Sequence, residues 1–215
     1  MHNFFKSESL IINSSNIVLD CNGATLNGNG TGNGIYIGNK NNVTIRNCNA
    51  TKYNAGIYLN DSSSNIIADN ALNSNEYGIL LDTSSNNKLT GNVANSNNLC
   101  GISLKFSHNN TIFKDTVNSN DYGICLRYSS NNNLTDNTAN SNNNSGIYIA
   151  GLTACSGDEK KIVIKKVSTH QVTISFTDDN GDRYDDVHLD QGPIKTGELF
   201  MVGGIVWIVC WSIFI

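Results

Sequence analysis

Asp82, Lys105 and Arg127 lie 23 and 22 residues apart, each four residues after a glycine that opens a Gly-Ile-x-Leu unit, so three charged groups recur at one position of a repeat. Asp61 lies one position further along, in the preceding unit. Carboxylates and amines so placed can move protons, and two carboxyl groups about 5 to 9 Å apart can cleave a glycosidic bond. Only Asp61 and Asp82 fall near each other, and a surface charge ladder worth at most about 1 kcal/mol per pair accounts for the same residues. Asp61, Asp82, Lys105 and Arg127 are thus candidate catalytic groups that do not complete a catalytic set.

Two residues after the repeat glycines stand Tyr36, Tyr58, Leu80, Ser103, Cys125 and Tyr148. Sugar rings pack on exposed aromatic faces, which makes Tyr36 and Tyr58 candidate carbohydrate subsites; tyrosine also simply suits an exposed strand. The six cysteines show no Cys-x-x-Cys spacing, which argues against zinc. His2, His108, His170 and His188 are scattered, so no copper ligand cluster is visible and no metal cofactor is expected.

The element that positions these groups is a repeat. Gly-Ile-x-[Leu/Ile] begins at Gly34, Gly56, Gly78, Gly101, Gly123 and Gly146, with spacings of 22 or 23 residues. The two aliphatics of each unit share one parity, as in a half-buried strand. Ile45, Ile67, Leu89, Ile112 and Leu134 follow eleven residues after the first five glycines, and Ala50, Leu72, Ala94, Val117 and Ala139 sixteen after. Three short inward-facing segments per repeat describe one coil of a parallel β-helix, with each strand pairing to its equivalents about 4.8 Å above and below.

Composition agrees with such a solenoid. Of 37 asparagines, 36 precede residue 145. Asn65, Asn87, Asn110 and Asn132 recur nine residues after the glycines, and Asn70, Asn92, Asp115 and Asn137 fourteen after, at the corners between strands. Asparagine tolerates left-handed backbone, and stacked amides can bond along a column. A net charge of −4 without a basic cluster argues against nucleic-acid binding.

Residues 15–23 (SNIVLDCNG), 41–48 (NNVTIRNC), 129–137 (SSNNNLTDN) and the GIYI and GIYL units resemble the right-handed parallel β-helix repeats of the NosD-like, pectin-lyase-like superfamily, over about residues 10–150. The resemblance implies an all-β, right-handed parallel β-helix of about six coils in an extracellular or cell-surface protein. It also implies a function among carbohydrate binding, scaffolding, polysaccharide lysis or hydrolysis, and copper maturation. A lyase of this kind would use acids to hold calcium or screen a uronate, and a Lys or Arg as base. The residues favour a non-catalytic carbohydrate-binding or structural protein over an enzyme. Aligning Ile17 with Val43 and Leu19 with Ile45 sets Cys21 against Cys48, as a disulfide or as stacked thiols.

Charge density rises and asparagine nearly vanishes after a boundary at about 151–157, so residues 158–215 are expected to form a small β-rich module or to end in an anchor. Asn180 and Gly181 suit a hairpin turn between residues 171–177 and 184–189, and the Asp-rich run 178–186 fits a calcium loop less well. Residues 199–215 are uncharged; a strand pair about Gly203 and Gly204 is the first expectation and membrane association the second. Eight Asn-x-Ser/Thr sequons would matter only on export, and the first eight residues lack a signal-peptide pattern, which suggests a fragment or a misplaced start.

Overall fold

The computed structural model describes residues 9–153 without interruption, together with strands at 3–5, 163–165, 168–169, 171–177, 183–190, 199–202 and 205–208. A long sheet stacks Leu10–Ile12, Asn33–Gly38, Ala55–Asn60, Tyr77–Asp82, Cys100–Lys105, Tyr122–Arg127, Ser145–Thr153 and Gln171–Thr177 in parallel. A second parallel sheet runs from Val18–Asp20 through Thr44–Arg46, Ile66–Ala68, Lys88–Thr90, Thr111–Phe113 and Asn133–Thr135 to Val163–Lys165. The third ladder is thinner, joined from Asn49 through Ala71, Val93 and Thr116 to Thr138 by single bridges. The chain is therefore an all-β, right-handed parallel β-helix of about six turns.

Register follows the glycines. Ile35, Ile57, Ile79, Ile102, Ile124 and Ile147 pair in sequence along the long sheet. All six are fully buried, as are Ile45, Ile67, Leu89, Ile112 and Leu134 of the second sheet. The glycines themselves mark close approach of backbone: a Cβ on Gly34 would stand 2.5 Å from the Gly56 carbonyl oxygen, and one on Gly56 2.7 Å from that of Gly78. Any side chain there would push adjacent coils apart.

Each coil turns four corners, and from Asp61 onward each corner pairs a left-handed residue with a buried polar one; the coil before has Lys40, Val43, Cys48 and Tyr53 at these positions. The left-handed positions include Asn39, Asp61, Thr83, Phe106 and Tyr128 at the first corner, and Asn42, Ser64, Asn86, Asn109 and Asn131 at the second. Asn47, Asp69, Lys114 and Asp136 serve at the third, and Lys52, Ser74, Ser96, Ser119 and Ser141 at the fourth. The next residue in each case starts a buried column. Ser62, Ser84, Ser107 and Ser129 occupy the first column, Asn65, Asn87, Asn110 and Asn132 the second, and Asn75, Asn97, Asn120 and Asn142 the fourth. The third column is Asn70, Asn92, Asp115 and Asn137.

Left-handed backbone thus falls one residue before the buried asparagines, because their side chains must turn inward. Each buried side-chain oxygen accepts the backbone N–H of its equivalent one coil earlier: Asn65 N–H donates to Asn87 Oδ1 at 2.8 Å, and Ser62 N–H to Ser84 Oγ at 3.0 Å. Many of the amide nitrogens donate to carbonyls of the earlier coil, as from Asn87 Nδ2 to Ser62 O at 3.0 Å, while those of Asn97, Asn110 and Asn120 donate to the next amide oxygen of their column. These bonds satisfy backbone groups where the sheets stop, at sites closed to water.

The ladders continue past the expected boundary. Asn133–Thr135 pairs with Val163–Lys165, and Ile147 with Val172, across an irregularity between Ala150 and Leu152. Gln171–Thr177 then pairs antiparallel with Arg183–Asp190, so the expected strands meet; residues 178–182, with the expected turn and part of the alternative calcium loop, lie outside the described residues. Leu199–Val202 pairs antiparallel with Ile205–Ile208, and among the described residues no helix is long and apolar enough to cross a membrane.

Replacing Asn87 by alanine strands the Asn65 N–H and the Ser62 carbonyl in the interior. The expected loss is about 2–4 kcal/mol in denaturant unfolding, whereas alanine at the exposed Asn86 strands no buried group and should cost only about 1 kcal/mol, that of a left-handed alanine. Equal effects at the two positions would contradict the buried role.

Candidate functional site

The long sheet places the candidate residues on one lateral face and its adjoining corner. Tyr36 pairs in register with Tyr58, and their rings lie 5.5 Å apart, tilted by 60°. Both are half-buried, and the Tyr58 hydroxyl donates to Asn60 Oδ1 at 3.3 Å. Burial, then the nearby Asp82, Tyr36 and Asp61, push the Tyr58 phenol up from its ordinary value, so it stays neutral.

Asp82, Lys105 and Arg127 stand in consecutive register at the strand ends. Lys105 Nζ is 3.5 Å from Asp82 Oδ2, in a pair open to water. Asp82 also accepts from the Thr83 hydroxyl, and Asp61 accepts from Asn60 Nδ2. The arrangement brings together Asp82 with Lys105 and Tyr36 with Tyr58. Arg127 stands apart from the acids, with its guanidinium carbon 5.8 Å from the Tyr148 ring centroid.

The outward column is not a continuous exposed face. Ser103 and Cys125 are buried, and Cys125 is joined to Cys100, with Cα atoms 6.4 Å apart. The face is therefore divided into a stretch at Tyr36, Tyr58 and Leu80 and a second stretch at Arg127 and Tyr148. Beside the second, Phe106 and Tyr128 stack at 5.0 Å between centroids with 45% and 53% of their surface exposed. Both have left-handed backbone, which bulky side chains seldom adopt. Their place five residues after Gly101 and Gly123 was the available signal, but the same column begins with Asn39 and Asp61.

Cys21 and Cys48 form a disulfide with Cα atoms 4.8 Å apart, one of the two arrangements that the register allowed. The second bridge was hidden because Cys100 precedes its repeat glycine and Cys125 follows its own, so the two never align. An open groove of about 570 Å³ lies elsewhere, at the fourth corner, lined by Lys52, Tyr53, Glu76 and Leu99 among others.

Among the described residues no group of three or more His, Cys, Asp or Glu could hold a metal ion. His108 Nδ1 accepts the Ser130 N–H at 3.0 Å, and four cysteines are in disulfides. The residues described do not fit a copper centre.

A family model described as "Periplasmic copper-binding protein (NosD)" matches residues 6–184. No curated protein matches the chain. Among solved structures, the mannuronan C-5 epimerase AlgE6 A-module of Azotobacter vinelandii is similar at 16% identity and a TM-score of 0.63, over 79% of this chain and 50% of that one. The periplasmic alginate epimerase AlgG is similar at 20% identity and a TM-score of 0.61, over 75% of this chain and 41% of that one. PfbA, a surface adhesin of Streptococcus pneumoniae, is similar at 12% identity and a TM-score of 0.51, over 94% of this chain and 69% of that one. The chain thus spans half or less of the two epimerase chains, and likeness at these identities shows the fold alone.

Both bridges join neighbouring coils through loops of 27 and 25 residues. Reduction should lower stability by about 3.5 kcal/mol per bridge in the chain-entropy account. In denatured but unreduced protein, an alkylating reagent should leave Cys21, Cys48, Cys100 and Cys125 unlabelled; labelling of any of the four would refute its bridge.

Proposed function

The chain belongs to the NosD family, and we propose that it is an exported, non-catalytic β-helix protein that binds polysaccharide along the lateral face of its long sheet. The observation that carries this reading is the Tyr36–Tyr58 ring pair, in register on adjacent coils and partly open to solvent. Such rings offer apolar surface to sugar C–H groups. Arg127, against Tyr148, adds a cation for an acidic group on the same face. Two disulfides fit an oxidising compartment outside the cytoplasm. The family description names a periplasmic protein, and the names of the structural neighbours are those of alginate epimerases and an adhesin.

The engagement of the charged groups supports a non-catalytic role. Asp82 is paired with Lys105, and Asp61 is held by Asn60, while general acid–base chemistry needs a group free to exchange its proton with a substrate.

Glycan-array binding by the full chain, with and without calcium, tests the reading. Tyr36→Ala and Tyr58→Ala should each weaken binding to the glycan retained by the wild type by roughly threefold to tenfold, with no turnover in either protein. Turnover of a polyuronate that Asp82→Ala or Lys105→Ala abolishes would replace this reading with a lyase or hydrolase. Binding unaffected by both tyrosine substitutions would remove the site.

A further inference from the structure

Asp115 is a carboxyl group where the rest of its column, after Cys48, is amide. Cys48 N–H donates to Asn70 Oδ1, Asn70 N–H to Asn92 Oδ1, and Asp115 N–H to Asn137 Oδ1, at 3.0, 3.1 and 2.9 Å. Asp115 Oδ1 takes up the same duty: it accepts the Asn92 N–H at 2.6 Å and Asn92 Nδ2 at 2.9 Å. Its second oxygen departs from the pattern. In Asn70, Asn92 and Asn137 that position is an Nδ2 donating to the carbonyls of Ile45, Ile67 and Ile112, at 3.2, 2.9 and 2.8 Å. Asp115 Oδ2 is buried without a hydrogen-bond partner.

The register identifies what that oxygen should meet. Leu89 pairs with Ile67 on one side and Ile112 on the other, so the carbonyl due to a donor at position 115 is that of Leu89. An ionised carboxylate has only acceptors and would set a negative charge against a carbonyl oxygen at a site 1% exposed. A neutral carboxylic acid supplies an O–H where asparagine supplies an N–H, with nearly the same shape.

The charged groups around the corner do not rescue the anion. Asp69, two coils before, and Asp136, on the coil after, stand in the neighbouring outward column, in which the coil between Asp69 and Asp115 has Gly91; Lys114 is the exposed residue preceding Asp115, and Lys88 lies outward on the adjoining strand. Among the described residues no ion pair reaches Asp115. Burial first, with Asp69 adding repulsion, raises the Asp115 carboxyl to about 7, against the lowering effect of the Asn92 donors and of the Phe113 backbone N–H.

We propose that Asp115 is a proton-operated latch between coils, closed by an Oδ2–H bond to the Leu89 carbonyl and opened when that proton leaves. A group whose folded value lies above its unfolded value of 3.8 contributes stability fully in acid. The contribution falls as pH rises from about 4 towards about 7 and is flat above. The latch is independent of any ligand on the lateral face.

Reversible denaturant unfolding of the full chain and of Asp115→Asn across this pH range tests the latch. The asparagine variant carries a permanent donor, so the ratio of wild-type to variant unfolding constants should rise by up to about tenfold per pH unit through the window and level off above it. A ratio constant with pH, or a variant less stable than wild type above about pH 8, overturns the latch. Infrared spectroscopy of the native protein needs no unfolding. At about pH 5.5, where ordinary carboxyl groups are ionised, the wild type should retain a protonated-carboxyl band that Asp115→Asn lacks, and a wild-type spectrum without that band also overturns the latch.

Discussion

A side-chain oxygen on one coil that accepts the backbone N–H of the coil before it is the bond on which this solenoid depends. Parallel strands pair their own backbone, but a coil of 22 or 23 residues must turn, and at each turn the ladder stops. The N–H and C=O groups left there face the interior, where an unpaired group costs about 1–3 kcal/mol. Serine in one column and asparagine or aspartate in three others meet that cost, and asparagine serves both groups at once. Asn87 accepts from Asn65 N–H and donates to Ser62 O; Asn92 accepts from Asn70 N–H and donates to Ile67 O. The left-handed residue before each member swings the side chain inward, so corner geometry and corner chemistry are one device.

This division leaves the strands free to carry the candidate site. The inward strand positions are filled by Ile, Leu, Val and Ala, and the corners by buried polar columns, so variation is tolerated mainly on outward strand positions and on the left-handed residues themselves. Tyr36, Tyr58, Asp82, Lys105 and Arg127 belong to the first group, and Phe106 and Tyr128 to the second. A charge repeated on every coil would repel its copies at the spacing of adjacent strands, and the strand-end column instead changes from Asn60 to Asp82 to Lys105, with one ion pair between the last two. The disulfides reinforce the same axis, Cys21–Cys48 near the beginning and Cys100–Cys125 further along.

The glycines and alternating aliphatics made the coil, its register and the two strand faces legible, because backbone contact and burial admit few residue types. The corners were harder. In Asn86–Asn87, Asn109–Asn110 and Asn131–Asn132 the first residue is left-handed and outward and the second buried, and identical neighbours conceal the difference. The serine column, six residues after the glycines, and the fourth, nineteen after, repeat as regularly as the two expected columns, but serine and asparagine are so frequent in these repeats that spacing alone does not mark burial. Tyr36 and Tyr58 could be found because strand register follows from the repeat. The Cys100–Cys125 bridge and the Phe106–Tyr128 stack could not, since one joins unlike positions and the other occupies a column that begins polar. The tail strands at 171–177 and 183–190 were readable from the Asn180–Gly181 pair, but their attachment to the long sheet required three-dimensional pairing.

Amide hydrogen exchange measured residue by residue on the native protein tests most directly whether the buried columns hold the coils together. The N–H groups of Asn65, Asn70, Asn75, Asn87, Asn92 and Asn97 each donate to a buried side-chain oxygen one coil on. They should open only with the free energy of global unfolding, alongside strand amides such as those of Ile79 and Ile102. Exchange at these six positions as fast as in exposed turns, while the strand amides stay protected, would show that the sheets stand without the columns and would contradict the account.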